Sequence, residues 1–108
     1  MTKTQAKLRR RLDSLENRLP CAAPVTLRFA RVLKPPKSLA HTELTKTGFI
    51  ITIHSGTKNF QVMADTLVHE YAHCRSWPYG PAEFIRWDHD EHWGIEYASV
   101  YRAYYEVR

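Results

Sequence analysis

Two histidines four residues apart, with a glutamate behind the first, stand in the stretch Leu67–Val68–His69–Glu70–Tyr71–Ala72–His73. On a helix, residues at i and i+4 lie on one face, about 5–6 Å apart at Cβ. The imidazoles of His69 and His73 would then sit side by side, near enough to share one zinc ion at about 2.0–2.1 Å per Zn–N bond. Glu70 would lie on the same side and take the proton of a water polarised at that site, which is how the H-E-x-x-H motif of metallopeptidases works. The surroundings agree with a helix. Ala64, Leu67, Val68, Tyr71 and Arg75 recur at helical spacing, giving an apolar back that also carries the Arg75 stem. The two histidines point away from that stripe. The plainer reading of the same pattern is a pair of surface histidines on an amphipathic helix.

The elements that must hold this helix follow from the rest of the chain. Residues 4–18 read as a helix capped by Thr4, with Ala6, Leu8, Leu12, Leu15 and Leu19 as its apolar stripe and Pro20 as its stop. Val25–Val32 alternates as a strand, with Val25, Leu27, Phe29 and Arg31 on one face, and Pro35–Pro36 then opens a loop. Two further strands fall at His41–Thr45 and Gly48–His54, joined by a tight turn at Lys46–Thr47–Gly48. Phe49–Ile50–Ile51–Thr52–Ile53 is the strongest β stretch of the chain. We expect this strand to be exposed and able to take up a substrate strand by β-augmentation. The motif helix should start near Asn59–Gln61 and end near Arg75. After the Trp77–Pro78–Tyr79–Gly80–Pro81 stop, a short helix runs to Trp87. The last helix is capped by Asp88 and runs to about Glu106, with Trp93, Tyr97, Val100, Tyr101 and Tyr104 facing inward.

A catalytic zinc takes three protein ligands and leaves a fourth position open. The candidates for the third ligand are His89, His92 and Glu96, all near one side of the last helix, and the spacing does not separate them. Asp65, one turn before His69, is a candidate to orient it, with a solvent-facing role as the plainer alternative. His41 and His54 are candidates for substrate contacts but read more simply as strand-edge residues. Trp77, Trp87 and Trp93 could line a peptide or nucleobase site, though aromatics in a small domain are more often core.

Composition bounds the rest. The chain has 108 residues, enough for one core and one domain, and is 44% hydrophobic and 12% aromatic, which is globular in type. No apolar run approaches the roughly 20 residues that span a bilayer. The basic N-terminus lacks an apolar core segment, so no secretory signal is expected. Cys21 and Cys74 make no disulfide framework, suit a reducing cytoplasm and should each behave as a small buried hydrophobe. The net charge of +5 is uneven. Residues 1–20 hold six Lys/Arg against two acids, residues 21–60 six against one, and residues 61–108 four against eight. The basic half, with Arg9, Arg10, Arg11, Lys34 and Lys37, could bind DNA without sequence preference; a merely solvated face is the alternative.

His69–Glu70–Tyr71–Ala72–His73, followed by Asp88–His89–Asp90–Glu91–His92–Trp93–Gly94–Ile95–Glu96–Tyr97–Ala98, resembles the SprT-like zinc metalloproteases, and their small phage and prophage members in particular. The resemblance spans roughly residues 25–105, with specific motifs at 67–74 and 88–98. In that family the third ligand is a His followed four residues on by Trp or Phe, which implies His89 here with Trp93 as the aromatic. Asp90 and Glu91 depart from the Gly-Pro that the family often carries. The family's substrates, proteins bound to DNA, are likewise an implication of the resemblance.

The expectation is therefore an α+β, minimal zincin-like domain over residues 1–108. A basic N-terminal helix (1–20) precedes a core (21–108) in which about three strands pack with the motif helix and a C-terminal helix. It would be a monomeric, cytoplasmic zinc peptidase acting on protein or peptide, in a bacterial host if phage-encoded. Glu70 would be the base and His69, His73 and His89 the ligands. One rival is the ImmA-like class of H-E-x-x-H peptidases, which would use Glu96, although Trp93–Gly94 speaks against it. The other is a zinc-stabilised nucleic-acid-binding or adaptor module with no turnover, which would have no need of Glu70.

Overall fold

The first helix, α1 (Lys3–Arg18), is set by its ends and one stripe. Its cap is Thr2, two residues before the expected Thr4: Gln5 N donates to Thr2 Oγ1 at 3.0 Å, and Thr2 N donates to Gln5 Oε1 at 3.2 Å. The reason is the third residue after each candidate. Gln5 can accept from the Thr2 amide and close a reciprocal box, whereas Lys7, three after Thr4, has no acceptor. Leu8, Leu12 and Leu15 are buried along the inner face, each such side chain contributing about 1.5–3 kcal/mol by area.

The computed structural model describes residues 2–31, 39–57, 59–77 and 91–106. Outside the described residues lie the loop expected at Pro35–Pro36, the side chains of Lys34 and Lys37, the short helix from Pro81 to Trp87, the Asp88 cap and His89. The side chain of His92 lies outside them too.

Three strands follow: β1 (Val25–Ala30), β2 (Ala40–Thr45) and β3 (Gly48–His54). β1 begins where Val25 N donates to Glu16 Oε2 at 3.2 Å, tying it to α1, and it ends two residues short of the expected Val32, with Arg31 exposed beyond it. Lys46–Thr47 makes the two-residue turn between β2 and β3, as the spacing predicts. Gly48 is required there. Its φ is 140°, and a Cβ would stand 2.4 Å from the Pro24 carbonyl oxygen, which accepts from Phe49 N at 2.8 Å.

The strand order is β1-β3-β2, with β1 parallel to β3 and β2 antiparallel to it. This corrects the expectation of β3 as an exposed strand. β3 is central and hydrogen-bonded on both edges, with Phe49, Ile51 and Ile53 almost wholly buried. A run that is apolar on both faces belongs inside a sheet, and alternation is reserved for strands with one wet face. Among the described residues, β2 is an edge, and no strand pairs with its outer side.

The motif helix, α2 (Phe60–Ser76), is capped by Asn59, whose Oδ1 accepts from Gln61 N at 2.8 Å and Val62 N at 3.3 Å. Met63, Ala64, Leu67, Val68, Tyr71, Ala72 and Cys74 are all buried, so the apolar back is wider than the sequence stripe. α2 packs on the sheet and α1; α3 (Glu91–Tyr105) packs on α2 and α1. Among the described side chains of α3, Val100 and Tyr104 are buried, while Trp93 and Tyr97 are half-buried. Tyr101, expected inward, is 45% exposed. It belongs instead to a ladder of rings, Trp93, Tyr97, Tyr101 and Tyr105, with successive centroids 4.9, 6.1 and 4.6 Å apart. Residues four apart stack along one helix face, and aromatic self-contact there replaces burial in the core.

The described residues thus form an α+β fold of three helices and a three-stranded mixed sheet around one hydrophobic cluster. No helix among them is long and apolar enough to cross a membrane.

Candidate metal centre

α2 presents its two histidines as the i, i+4 rule requires. The ring centroids of His69 and His73 are 5.0 Å apart, and their Nε2 atoms are 3.3 Å apart. Two nitrogens each about 2.0–2.1 Å from one zinc, at the tetrahedral angle, stand about 3.3–3.4 Å apart. The separation therefore fits a shared ion. The hydrogen bond that the same distance allows would need one ring to donate.

Glu70 completes the group. Its Oε2 is 3.8 Å from His69 Nε2, and one donor atom from each of His69, Glu70 and His73 lies within 4.8 Å of the others. The side chain is buried, and Oε1 accepts a hydrogen bond from Thr42 Oγ1 at 2.7 Å. This contact comes from the edge strand: Thr42 pairs with Ile51, and β2 crosses above the motif helix. A carboxylate buried beside an apolar core needs such a partner, because an unsatisfied buried charge is costly.

Trp93 forms the roof. Its ring lies 5.0 Å from that of His69 and 5.6 Å from that of His73, and its Nε1 donates to the His69 carbonyl at 3.4 Å. Two clefts meet at this point. One of about 540 Å³ runs between Leu39, Ala40, Val62, Thr66 and Tyr97; the other, of about 330 Å³, runs along Ala40, His41, Thr42, His73 and Trp77. His69 and Glu70 line both.

The remaining candidates are distributed as follows. Glu96 Oε1 accepts from Arg75 Nε at 2.7 Å and lies outside the His69–Glu70–His73 group. Burial disfavours the Arg75 charge, but the Glu96 hydrogen bond and charge more than offset it and hold the guanidinium above its ordinary pKa. Asp65 is exposed; it accepts from Gln61 Nε2 at 3.0 Å and from the Tyr105 hydroxyl. His54 accepts from Gly56 N at 2.9 Å and so closes the turn after β3. His41 lines the smaller cleft, and its buried Nδ1 has no hydrogen-bond partner among the described residues. The arginine triad does not share a face: Arg9 lies over Phe29, Arg11 over Tyr104, and Arg10 is exposed.

Two features escaped the sequence reading. Thr42 carries no signal of its own, since a threonine in a strand is ordinary and only the β2 register brings it to Glu70. The cysteines, far apart in sequence, are neighbours in space: Tyr71 OH donates to the Leu19 carbonyl at 2.6 Å and Arg75 to the Pro20 carbonyl, which seats Cys21 over α2 at Cys74. Contact with the Cys74 thiol lowers the Cys21 pKa, and that contact together with burial raises that of Cys74 far above its ordinary value.

Compared with known proteins, the chain matches no family model, no curated protein and no solved structure. A functional reading must therefore come from the chemistry of the site.

Proposed function

We propose that this chain is a zinc-dependent peptidase of the minimal zincin-like kind, akin to the SprT-like proteases, with His69, His73 and His89 as ligands and Glu70 as general base. The observation that carries this reading is the 3.3 Å separation of the two Nε2 atoms beside a buried carboxylate. His89 is the preferred third ligand because Glu96 is engaged by Arg75, and because Trp93, four residues after His89, packs on both imidazoles.

When bound, zinc supplies Lewis acidity, polarising the scissile carbonyl and lowering the pKa of a water to about 7. The chain's own groups do the rest. Thr42 donates to Oε1 of Glu70, fixing the carboxylate so that Oε2 faces the His69 side of the cleft. From there Oε2 takes the proton of the attacking water as its oxygen bonds to the carbonyl carbon, and returns it to the nitrogen as the C–N bond breaks. The outer edge of β2, at Ala40–Thr42 beside the cleft, pairs with no strand among the described residues and offers its backbone groups to an extended peptide, moving to β2 the augmentation expected of β3.

Metal analysis of the wild type and of His69→Ala, His89→Ala, His92→Ala and Glu96→Ala tests this. About one zinc per chain is expected in the wild type, in His92→Ala and in Glu96→Ala, with loss of zinc in the other two. Zinc well below one per chain that does not respond to added metal contradicts the reading. Loss in Glu96→Ala but not in His89→Ala would move the protein to the Glu-ligand class.

A further inference from the structure

A second pocket, of about 430 Å³, lies between α1, the first turn of α2 and the last turn of α3, and shares no lining residue with the clefts at His69. Lys7, Arg11, Phe60, Gln61, Tyr104 and Tyr105 wall it. The two cations are one helical turn apart and are held by rings. Lys7 Nζ is 4.5 Å from the Phe60 centroid, and Arg11 Cζ is 5.6 Å from that of Tyr104. Neither makes an ion pair with a described residue. Phe60 and Gln61 open α2, whose positive end adds to the field there.

An independent observation points the same way. Tyr104 is 6% exposed, and its hydroxyl is buried without a hydrogen-bond partner among the described residues. Leaving a buried hydroxyl unsatisfied costs about 1–3 kcal/mol. Burial raises its pKa above the ordinary value, so the hydroxyl stays protonated and able to donate. Asp65, which lines the larger cleft at His69, is engaged by Gln61 and Tyr105. The volume falls in the range of small-molecule sites, about 300–1,000 Å³, and a phosphate group would fill only part of it. What is left over is walled by the Phe60 and Tyr105 rings, which suit a flat heterocycle.

We propose that this pocket binds a nucleoside monophosphate, with its phosphate on Lys7, Arg11 and the Tyr104 hydroxyl and its base against the Phe60 and Tyr105 rings. The proposal stands apart from the metal centre and does not depend on it.

Titration of the full chain with AMP, adenosine and inorganic phosphate, followed by residue-resolved NMR, tests it. AMP should shift the signals of Lys7, Arg11, Phe60 and Tyr104, and bind at least about tenfold more tightly than adenosine or phosphate. Lys7→Gln and Arg11→Gln should each weaken AMP by about tenfold or more, the scale of one charge-assisted contact, while the melting temperature falls by only a few degrees as one cation–π contact is lost. Tyr104→Phe should weaken AMP severalfold without destabilising the fold. Equal binding of adenosine and AMP, AMP binding untouched in Arg11→Gln, shifts confined to His69 and His73, or no shifts at millimolar AMP would each overturn it.

Discussion

Thr42 is the residue that most directly holds the Glu70 carboxylate, and the proposed role of Glu70 can be tested through it. A hydrogen bond to a charged group contributes about 1.5–3 kcal/mol, so Thr42→Val should lower kcat by about tenfold to a hundredfold on any peptide the protein cleaves. Zinc content should be unchanged, because the imidazoles are untouched, and Thr42→Ser should restore most of the rate. A Val variant as active as the wild type would mean the contact does not orient the base. The cysteines make a second residue-scale prediction. Cys21 is half-buried with its pKa lowered by the Cys74 contact, whereas Cys74 is fully buried with its pKa raised. Reagents that attack thiolates should therefore modify Cys21 in the native protein at pH 8 and reach Cys74 only after unfolding, as mapping of the labelled peptides will show. At this scale the sequence was legible where function needs residues close along the chain. His69, Glu70 and His73 declare themselves by spacing. Thr42 and the cysteine pair do not, since they meet only through a strand register and a loop strapped down by Tyr71 and Arg75.

Among the elements, α2 and α3 are the most exposed to alkali. Burial, chiefly, raises the pKa of Tyr71 above its ordinary value, and burial with the Asp65 hydrogen bond does the same for Tyr105. Each folded-state pKa lies above the unfolded one, so the stabilisation is complete below pH about 10 and fades as pH rises through the folded values. Urea midpoints should thus fall steadily above pH 10, less steeply in Tyr71→Phe. A midpoint that holds at pH 11 would contradict these environments. The elements themselves were mostly legible from periodicity and turn chemistry: α1 by its leucines, the β2–β3 hairpin by Gly48, α2 by its stripe. What periodicity lacked was context. It marked β3 as strongly β but not as central, because edge or centre is decided by β1 pairing in parallel from the far side. It counted Tyr101 as core because a ring ladder has the same spacing as a core stripe.

At the scale of the whole molecule, a single core is shared by α1, the sheet, α2 and α3, and α3 also brings Trp93 against the histidines. A ligand that binds only the folded chain stabilises it by about 2.7 kcal/mol at a hundredfold excess over Kd, so chelation should lower the melting temperature by about 10 °C or more. Such a drop is not expected in a His69→Ala/His73→Ala protein, where chelator and zinc should act alike. The charge asymmetry that suggested a polyanion partner takes a different form in three dimensions. Arg9, Arg10 and Arg11 diverge, and Arg11 joins Lys7 at a pocket. Linear charge counts do not reveal such a grouping, because it depends on the rotation of α1.

The central claim, that His69 and His73 hold zinc while Glu70 moves the proton, meets its most direct test in Glu70→Gln. The amide keeps the shape of the side chain and can still accept from Thr42, but it cannot act as a base. Zinc per chain and peptide hydrolysis should be measured on the same preparation, beside the wild type. About one zinc per chain is expected in both proteins, with hydrolysis in the wild type and a loss of at least about a hundredfold in the variant. Hydrolysis that survives in Glu70→Gln, or a wild type that holds zinc and cleaves no peptide, would contradict it.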